Sequence, residues 1–403
     1  MVHYKYIMMQ ATHKNQMIQI QKTYKFRLNP TKEVKETFAQ FAGCARYVYN
    51  YGLSLVKKAL ETKTKIPSYA DIANLLPALK SNEETKWLKA VHSQTLQQKL
   101  TDLEFAVKSL FAKFNNKQKA SLHFKKKDQG DSFRYPQSIK CENDKVYLPK
   151  IGWVRYIASQ NIEGKIKQAT VKKEGEHWYI CIVCNIDKEI SKVDLDENKA
   201  IGIDLGLLNF AYTSNDLVIE NPRFLKKSLK KLSKIQKAHS RAKRGGQNKK
   251  KLTRKISKIH LKIRNQRNDF LHKTTTMLVK NHDIIAVESL TIKNMVKNRR
   301  LSRSISDAAW GIFVNLLKYK CFWNGKHMVA IGKFEPTSKL CSNCQNKQDM
   351  PLNKRIFNCL SCGVSIDRDL NASKNILAAG MSVLKLVDGD DNSLPEEARI
   401  NGF

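Results

Sequence analysis

The sequence predicts a multidomain α+β protein: a β-barrel with a helical insertion, followed by an α/β layer that carries a zinc ribbon. Three observations lead to this prediction. The chain has 403 residues, more than one domain usually holds. A block of helical periodicity interrupts the first group of strand-like segments, and strands and helices then alternate. Two Cys-x-x-Cys pairs follow in the C-terminal part of the chain.

The barrel is predicted from short strands on both sides of the helical insertion. Ile18–Leu28 alternates apolar and polar side chains, as a strand with one buried face does. Because helical sequence separates this strand from the later ones, an insertion into one barrel explains their order. We expect the barrel to hold residues 17–30 and 117–197. The later strands are predicted at Val146–Leu148, Gly152–Ile157, Ile166–Val171 and Trp178–Val183.

The insertion, residues 31–116, carries apolar side chains at helical spacing. Asn29 and Pro30 are typical of a helix start, with asparagine as the cap and proline in the first turn. Ser68 indicates the start of a second helix. A third helix is predicted at Ser93–Phe114, where leucines recur at helical spacing.

The second half of the chain predicts an α/β layer. Short apolar strands alternate there with helical segments, which is typical of helices that cover a sheet. A helix is predicted at Ala308–Trp323. The strands are predicted at Ala200–Ile203, Phe210–Tyr212, Leu217–Ile219, Ile284–Val287 and Met328–Ile331.

A strongly basic segment interrupts this layer. Arg223–Lys273 contains about twenty lysines and arginines against one acid, Asp269, and its leucines and isoleucines recur at helical spacing. Arg244–Asn248 contains two glycines that break the periodicity. The pattern therefore predicts a helical hairpin with a basic exposed surface.

The charge of the whole chain predicts a polyanionic partner. Lysine and arginine total 73 and aspartate and glutamate 36, so the formal net charge is +37. Hydrophobic residues make up 41% of the chain, which excludes a wholly disordered protein. An anionic membrane is the rival to nucleic acid, but no apolar run approaches the roughly 18–20 residues of a membrane span. Nucleic acid is therefore the expected partner, and no membrane.

The two Cys-x-x-Cys pairs predict one structural zinc ion. They are fourteen residues apart, and each can supply two thiolates to a tetrahedral site. Four thiolates leave no open position for catalysis. Cys181 and Cys184 have the same spacing but lie in an alternating strand, where residues three apart point to opposite faces, so we expect no metal there. The expected zinc ligands are Cys341, Cys344, Cys359 and Cys362.

Three acids stand where a catalytic metal site is expected. Asp204 and Glu288 each end an apolar strand, and Asp369 precedes a helical run. Acids directly after buried strands lie at the rim of a sheet, where active sites gather. Clustered carboxylates repel one another unless a cation joins them, and Mg²⁺ prefers oxygen ligands. Two such ions support phosphodiester hydrolysis, which is the chemistry this pattern favours.

Two alternatives remain open at this point. Spacing alone does not decide whether Asp367 or Asp369 is the third ligand. The glycines on both sides of Asp204 are also typical of the phosphate site of actin-like ATPases. Those enzymes need further glycine-rich phosphate loops, and the sequence contains none.

Several motifs together resemble the TnpB (OrfB) family, which bacterial and archaeal insertion sequences encode. They include IDLGL at Ile203–Leu207, VESL at Val287–Leu290 and DRDLNA at Asp367–Ala372. The similarity covers about residues 17–380. One departure is Gln345, which follows the second zinc cysteine where glycine is usual. The other similar segments are Phe210–Ala211, Asn265–Lys273, Pro336–Cys341, Tyr24–Pro30, Ser132–Pro136 and Pro149–Val154.

The resemblance implies an RNA-guided DNA endonuclease with a RuvC-like nuclease domain of RNase H fold. It implies a guide RNA transcribed from the element's end, a double-stranded DNA target, and Asp204, Glu288 and Asp369 as the Mg²⁺-binding catalytic triad. It also favours Asp369 over Asp367. The implied domains are a wedge barrel (17–30 and 117–197), a helical recognition domain (31–116), the nuclease domain (198–340 and 363–383) and the zinc ribbon (341–362).

Other functions stay open beside this one. A non-cleaving DNA-binding accessory protein of transposition, or an RNA-guided repressor, would keep the zinc ribbon and the basic surface. A transposase that joins DNA ends is a third class. A helix-turn-helix at residues 31–77 is an alternative to the recognition domain.

An RNA–DNA hybrid needs a basic channel that contacts its backbone, and aromatic side chains that stack on bases. The hairpin, the lysine run at residues 125–127 and the Phe-Arg-Tyr segment at residues 133–135 can supply them. The expected contacts are Lys125, Lys126, Lys127, Arg134, Tyr135, Lys249, Lys250, Lys251, Arg254, Arg264 and Arg267.

The ends of the chain lie outside the predicted domains. Residues 1–16 lack the apolar core and cleavage site of a signal peptide, and Met17 is the expected natural start. The nine cysteines are therefore expected in the reducing cytoplasm of a prokaryote, as thiols or metal ligands. Residues 384–403 are expected to form a disordered tail.

Overall fold

The computed structural model describes residues 5–7, 16–190, 195–332, 336–351 and 353–389. The chain forms two compact units. One is Gln19–Lys188, and the other joins Met1–Ile18 to Glu189–Phe403. Each unit buries a hydrophobic core of its own.

The unit Gln19–Lys188 contains the strands expected on both sides of the helical insertion. A short strand β1 (Lys5–Ile7), which belongs to the other unit, precedes them. One sheet has the order β2-β8-β7-β3 and the other β4-β5-β6, and Leu28 and Tyr156 form a bridge between them. The strands are β2 (Gln16–Arg27), β3 (Ser132–Tyr135), β4 (Lys140–Glu142), β5 (Lys145–Leu148), β6 (Gly152–Arg155), β7 (Lys165–Glu174) and β8 (His177–Ile190).

The helical insertion packs on this barrel. Phe38 and Phe41 of the first helix contact Phe133 of β3, and Phe38 also contacts Trp178 of β8. This aromatic cluster joins helix and sheet in one core. The helices are α1 (Lys32–Glu61), α2 (Tyr69–Ala73), α3 (Leu76–Ser81) and α4 (Ser93–Asn115).

The helix starts differ from the expectation at one place. The side chain of Thr31, and not Asn29, caps α1 by accepting from the Val34 amide. Ser68 begins α2 as expected, with Asp71 completing a capping box. The alternative of a helix-turn-helix concerned residues 31–77. There, α1 is one continuous helix of 30 residues and α2 has only five. These residues therefore lack a second helix long enough to read a DNA groove.

The second unit contains a sheet in the order β1-β13-β12-β9-β10-β11. Neighbours β9, β12 and β13 are parallel, whereas β10 is antiparallel to both β9 and β11. Three antiparallel strands followed by two parallel ones is the arrangement of the expected RNase H fold. The strands are β9 (Ala200–Leu205), β10 (Asn209–Thr213), β11 (Val218–Glu220), β12 (Ile284–Glu288), β13 (His327–Ile331), β14 (Ile356–Asn358) and β15 (Ser365–Asp367).

The helices of this unit confirm the basic hairpin and correct two other expectations. The helix predicted at Ala308–Trp323 is broken at Ala309, whose φ of +56° ends one helix and begins the next. The tail expected from residue 384 is helical up to Gly389, and Leu384 is buried. The rest of that tail lies outside the described residues. The helices are α5 (Phe224–Arg241), α6 (Gln247–Asn281), α7 (Ile292–Met295), α8 (Ser302–Ala308), α9 (Trp310–Trp323) and α10 (Arg368–Gly389).

Helices cover both faces of the sheet. Ile201 and Ile203 of β9 point into a core formed with α6 and α9. Gly202 lies between them and therefore faces the other side, which α10 covers. A Cβ at Gly202 would lie 2.1 Å from the Ser373 carbonyl oxygen and 2.6 Å from the Leu377 amide nitrogen, both backbone atoms of α10. Only glycine permits this approach of helix and strand. Within the described residues, every helix is too short or too polar to cross a lipid bilayer.

We predict that Gly202→Ala destabilises the protein by about 1–3 kcal/mol, because the new methyl group overpacks two backbones that cannot both move aside. Thermal unfolding measures the effect. Gly43→Ala is the control, since its Cβ in α1 would meet only the end of the Arg46 side chain at 3.8 Å. Gly43→Ala should stabilise by about 0.5–1 kcal/mol. Equal stability of Gly202→Ala and the wild-type protein would contradict the described contact.

Candidate metal centres

Two of the predicted acids end neighbouring parallel strands. Ile203 of β9 pairs with Val287 of β12, so Asp204 and Glu288 are the next residues along each strand. Neighbouring strands lie about 4.7–4.9 Å apart, and side chains at equal register point to the same face. The fold therefore brings these two carboxylates together at the carboxyl end of the sheet.

The third acid is carried to the same place by α10. Asp369, Ser373 and Leu377 follow one another at intervals of four, and so lie along one side of the helix. Ser373 and Leu377 contact β9 at Gly202, which shares its face of the strand with Asp204. The first turn of α10, with Asp369, therefore lies beside Asp204.

Asp367 has a different place from Asp369. Its Oδ1 accepts hydrogen bonds from the backbone amides of Asp369 at 2.8 Å and Leu370 at 3.1 Å, which makes Asp367 the N-cap of α10. The Asp367 side chain is exposed, whereas Asp369 is half-buried. The structure thus favours Asp369 as the third member of the cluster.

Asp204 is the carboxylate on which the other two acids act electrostatically. Burial raises the pKa of Asp204 to about 7, with further contributions from Asp369 and Glu288. Burial also raises the pKa of Glu288, and burial and Asp367 raise that of Asp369. A divalent cation would favour the charged forms of these carboxylates. The donor set, carboxylate oxygens only, fits Mg²⁺.

Sequence reasoning missed the cationic neighbours of this cluster. Arg355 Nη1 lies 3.7 Å from Asp369 Oδ2, and Arg355 and Arg368 both oppose the rise in the pKa of Asp369. Arg368 lies inside the recognised motif DRDLNA, but no spacing rule distinguished Arg355. Tyr212 was also missed, although it pairs with Asp204 across the sheet.

The four predicted cysteines form the second candidate metal centre. Cys341 Sγ lies 3.6 Å from Cys362 Sγ, and Cys344 Sγ lies 3.5 Å from Cys359 Sγ. All four sulfurs lie within 4.8 Å of one another. Zn–S bonds of about 2.3 Å place the sulfurs of a tetrahedral site about 3.8 Å apart, whereas a disulfide needs about 2.05 Å. The cluster therefore fits one zinc ion.

The two zinc knuckles have the same backbone shape but different residues at one position. The residue after the second cysteine of each knuckle has a positive φ, +59° at Gln345 and +73° at Gly363. Glycine adopts this conformation freely, whereas glutamine is strained in it. Glutamine at position 345 therefore destabilises the local backbone conformation relative to the glycine that is usual there.

The remaining Cys-x-x-Cys pair lies in strand β8, with its two side chains on opposite faces. Cys184 is buried in the core of the barrel, and Cys181, on the opposite face of β8, is half-buried. Burial raises the pKa of both thiols, which disfavours the thiolate that a metal needs.

The structure corrects one of the expected nucleic-acid contacts, Tyr135, and gives Arg134 a partner within the protein. Tyr135 is fully buried, and its hydroxyl donates to the Pro149 carbonyl at 3.0 Å, so it cannot stack on a base. Arg134 forms an ion pair with Asp102 of α4. Sequence periodicity shows that alternate residues of a strand face one way, but not which face is buried.

Two further predicted contacts already have partners within the protein. Arg267 forms an ion pair with Asp307 at 2.7 Å, which ties α6 to α8. Lys125 Nζ lies 3.7 Å from the centre of the Tyr49 ring, and burial lowers the pKa of Lys125 to about 8. Lys249 is half-buried. The exposed members of the predicted set are Lys126, Lys127, Lys250, Lys251, Arg254 and Arg264.

Comparison with known proteins identifies the family. The protein InsQ of Escherichia coli (strain K12) is 36% identical over 379 residues, covering 90% of this chain and 92% of InsQ. A protein of Streptomyces pristinaespiralis is 34% identical over 381 residues, covering 93% of this chain and 92% of the relative. The chain belongs to the OrfB (TnpB) family. Both relatives carry the name "putative RNA-guided DNA endonuclease".

Three families match separate parts of the chain. The OrfB family described as "Probable transposase" matches residues 182–299, and the Cas12f1-like TNB domain matches residues 310–376. A helix-turn-helix domain matches residues 17–65, where the structure has β2 and the long helix α1. A solved Cas12f1–sgRNA–target DNA complex is similar at 15% identity and a TM-score of 0.48, covering 89% of this chain and 98% of that one.

We predict that Asp204→Asn stabilises the magnesium-free protein at neutral pH. The folded state raises the pKa of Asp204 from 3.8 to about 7, so above pH 7 the fold holds an unfavourable negative charge that asparagine removes. The gain should reach about 2–4 kcal/mol above pH 7 and become small as the pH falls towards the unfolded-state pKa of 3.8, below which the acid is protonated in both states. Thermal unfolding between pH 4 and 8 measures it. A gain that does not change with pH would contradict this origin.

We predict that Gln345→Gly tightens zinc binding, because glycine relieves a positive φ that costs about 1 kcal/mol in other residues. The expected gain is several-fold, measured by competition with a zinc chelator. Gly363→Gln is the reciprocal control in the other knuckle, where no atom lies within 4 Å of the added Cβ. It should weaken zinc binding through backbone strain alone. Unchanged affinity in both variants would show that the backbone conformation at these positions does not matter.

Proposed function

We propose that this protein is an RNA-guided, Mg²⁺-dependent DNA endonuclease of a transposable element. The observation that carries the proposal is the cluster of Asp204, Glu288 and Asp369 at the carboxyl end of an RNase H-type sheet. The names of the two relatives that match almost the whole chain support it. The net charge of +37 suits a protein that holds RNA and DNA together.

The three carboxylates would hold the magnesium ions. Phosphodiester hydrolysis of this kind uses two ions, so we expect two. When bound, such ions activate a water molecule and stabilise the leaving oxygen. The chain's own contribution is the position of the carboxylates. Gly202 sets the distance between α10 and β9, and the Asp367 cap fixes the first turn of α10, where Asp369 lies.

The exposed basic residues would bind the nucleic-acid backbone. Lys250, Lys251 and Arg254 lie on the exposed side of α6, and Lys126 and Lys127 lie on the surface of the other unit. A protein guided by RNA needs such sequence-independent contacts, because base pairing and not the protein reads the target. We assign the barrel and the helical insertion to guide and target binding. The site of action would be the prokaryotic cytoplasm, where both substrates occur.

The alternative is a DNA-binding accessory protein or guided repressor that does not cut. Such a protein has no use for three clustered carboxylates, one with its pKa raised to about 7. Groups with strongly shifted pKa values in this arrangement are typical of functional sites rather than of structural ion pairs. The cluster therefore favours the endonuclease.

We predict that Asp204→Asn lowers the rate of DNA cleavage at least about a hundredfold and leaves guide-RNA and target-DNA binding intact. The substitution removes a ligand charge and keeps the shape of the side chain. Cleavage of a DNA matched to the bound RNA measures it, with and without Mg²⁺.

Asp216→Asn is the matched control for the cleavage assay. Asp216 is an exposed acid in the turn between β10 and β11, with a positive φ that asparagine accepts well. It should cut at the wild-type rate. Undiminished cutting by Asp204→Asn would contradict the assignment of the site.

A further inference from the structure

Two buried asparagines connect the zinc ribbon to the helix that carries Asp369. Asn371 is fully buried and Asn375 is 5% exposed, and both lie on α10 within two turns of Asp369. They are four residues apart and so occupy the same side of the helix. The proposed function assigns neither of them a role.

The amide of Asn371 holds the first zinc knuckle from two sides. Its Nδ2 donates to the Leu340 carbonyl at 2.6 Å, and its Oδ1 accepts from the Ser342 amide at 2.8 Å. Leu340 directly precedes the zinc ligand Cys341, and Ser342 directly follows it. The backbone on both sides of this ligand is therefore fixed to α10.

The amide of Asn375 reinforces the same attachment. Its Nδ2 donates to the carbonyls of Thr337 and Leu340, both at 2.8 Å. The Leu340 carbonyl thus accepts from both asparagines. Buried amides left without partners cost about 1–3 kcal/mol each, so the knuckle and the helix should keep their relative position.

The ribbon also holds the beginning of α10. Strand β15 pairs with β14 of the ribbon and ends at Asp367, the cap of the helix. The Arg368 amide donates to the Arg355 carbonyl at 2.7 Å, and the Arg355 side chain reaches Asp369. The ribbon therefore holds Asp369 both through the chain that leads into the helix and through the two asparagines on its side.

We propose that Asn371 and Asn375 are positioning residues that couple the zinc site to the divalent-cation site at Asp369. Bound zinc fixes the conformation of the knuckle. The hydrogen bonds of the two asparagines fix the position of α10 relative to the knuckle, and α10 in turn positions Asp369 beside Asp204 and Glu288. The proposal rests on the assignment of these three acids as cation ligands. Coupling between two sites is reciprocal, so each metal should strengthen the binding of the other.

The first test measures Mn²⁺ binding to the full protein, without RNA or DNA, by the electron paramagnetic resonance of free Mn²⁺. The Asp204→Asn variant identifies the binding that belongs to the acid cluster. Asn375→Ala does not touch the acids, yet should weaken this binding about 10- to 100-fold, as loss of supporting contacts around metal ligands does. Asn371→Ala should act in the same direction.

Gln348→Ala is the matched control. Gln348 Nε2 donates to the Asn358 carbonyl at 2.7 Å, and Oε1 accepts from the Leu360 amide at 3.0 Å. These two hydrogen bonds lie within the ribbon and do not reach α10. The control should therefore keep Mn²⁺ affinity, and equal weakening in Gln348→Ala and Asn375→Ala would overturn the proposal.

The second test needs no variant that disturbs the ribbon. The zinc affinity of the wild-type protein, measured by chelator competition, should rise with Mg²⁺, and this rise should disappear in Asp204→Asn. A merely structural role of the asparagines would leave zinc affinity independent of Mg²⁺, and that result would overturn the proposal. Coupling in a protein that cuts no DNA would refute the nuclease alone. Cutting with an unchanged Mn²⁺ affinity of Asn375→Ala would refute the coupling alone.

Discussion

The close approach of α10 to β9 at Gly202 is the constraint on which the acid cluster depends. A carboxylate at the end of a strand and another in the first turn of a helix meet only if the two backbones touch. A Cβ at Gly202 would lie 2.1 Å from the Ser373 carbonyl, so no larger residue allows this distance. Glycine is used here for the space it leaves, since its conformation is that of an ordinary strand.

This approach has a cost in stability that is consistent with a functional site. It presses carboxylates of like charge into a half-buried place, and the pKa of Asp204 rises to about 7. A fold selected for stability alone would place apolar residues there, as β9 does on its other face with Ile201 and Ile203. Repulsion between the carboxylates favours moving α10 away from β9. The zinc ribbon opposes this movement, because it holds the start of α10 by its backbone and through the buried asparagines.

The sequence predicted the features that depend on local pattern. Asp204 and Glu288 were singled out because each ends a run of buried residues, and the four clustered cysteines because their spacing fits a zinc knuckle. Features that depend on packing were missed. Tyr135 follows the same alternation as an exposed strand residue, and only the barrel core shows that it is buried. Ala309 interrupts a helix because it adopts the left-handed conformation. Glycine is the usual sequence signal for that conformation, and alanine gives no such signal. Arg355 reaches Asp369 only because the ribbon folds back onto α10.

The central claim is that RNA guides this chain to DNA, and the most direct test is to purify the protein from its native locus and sequence the RNA that accompanies it. The account predicts one discrete RNA whose end continues past the boundary of the element, since that segment would be the guide. Absence of a specific RNA from a preparation that still binds DNA would contradict the account. The three carboxylates would then need a role other than guided cleavage.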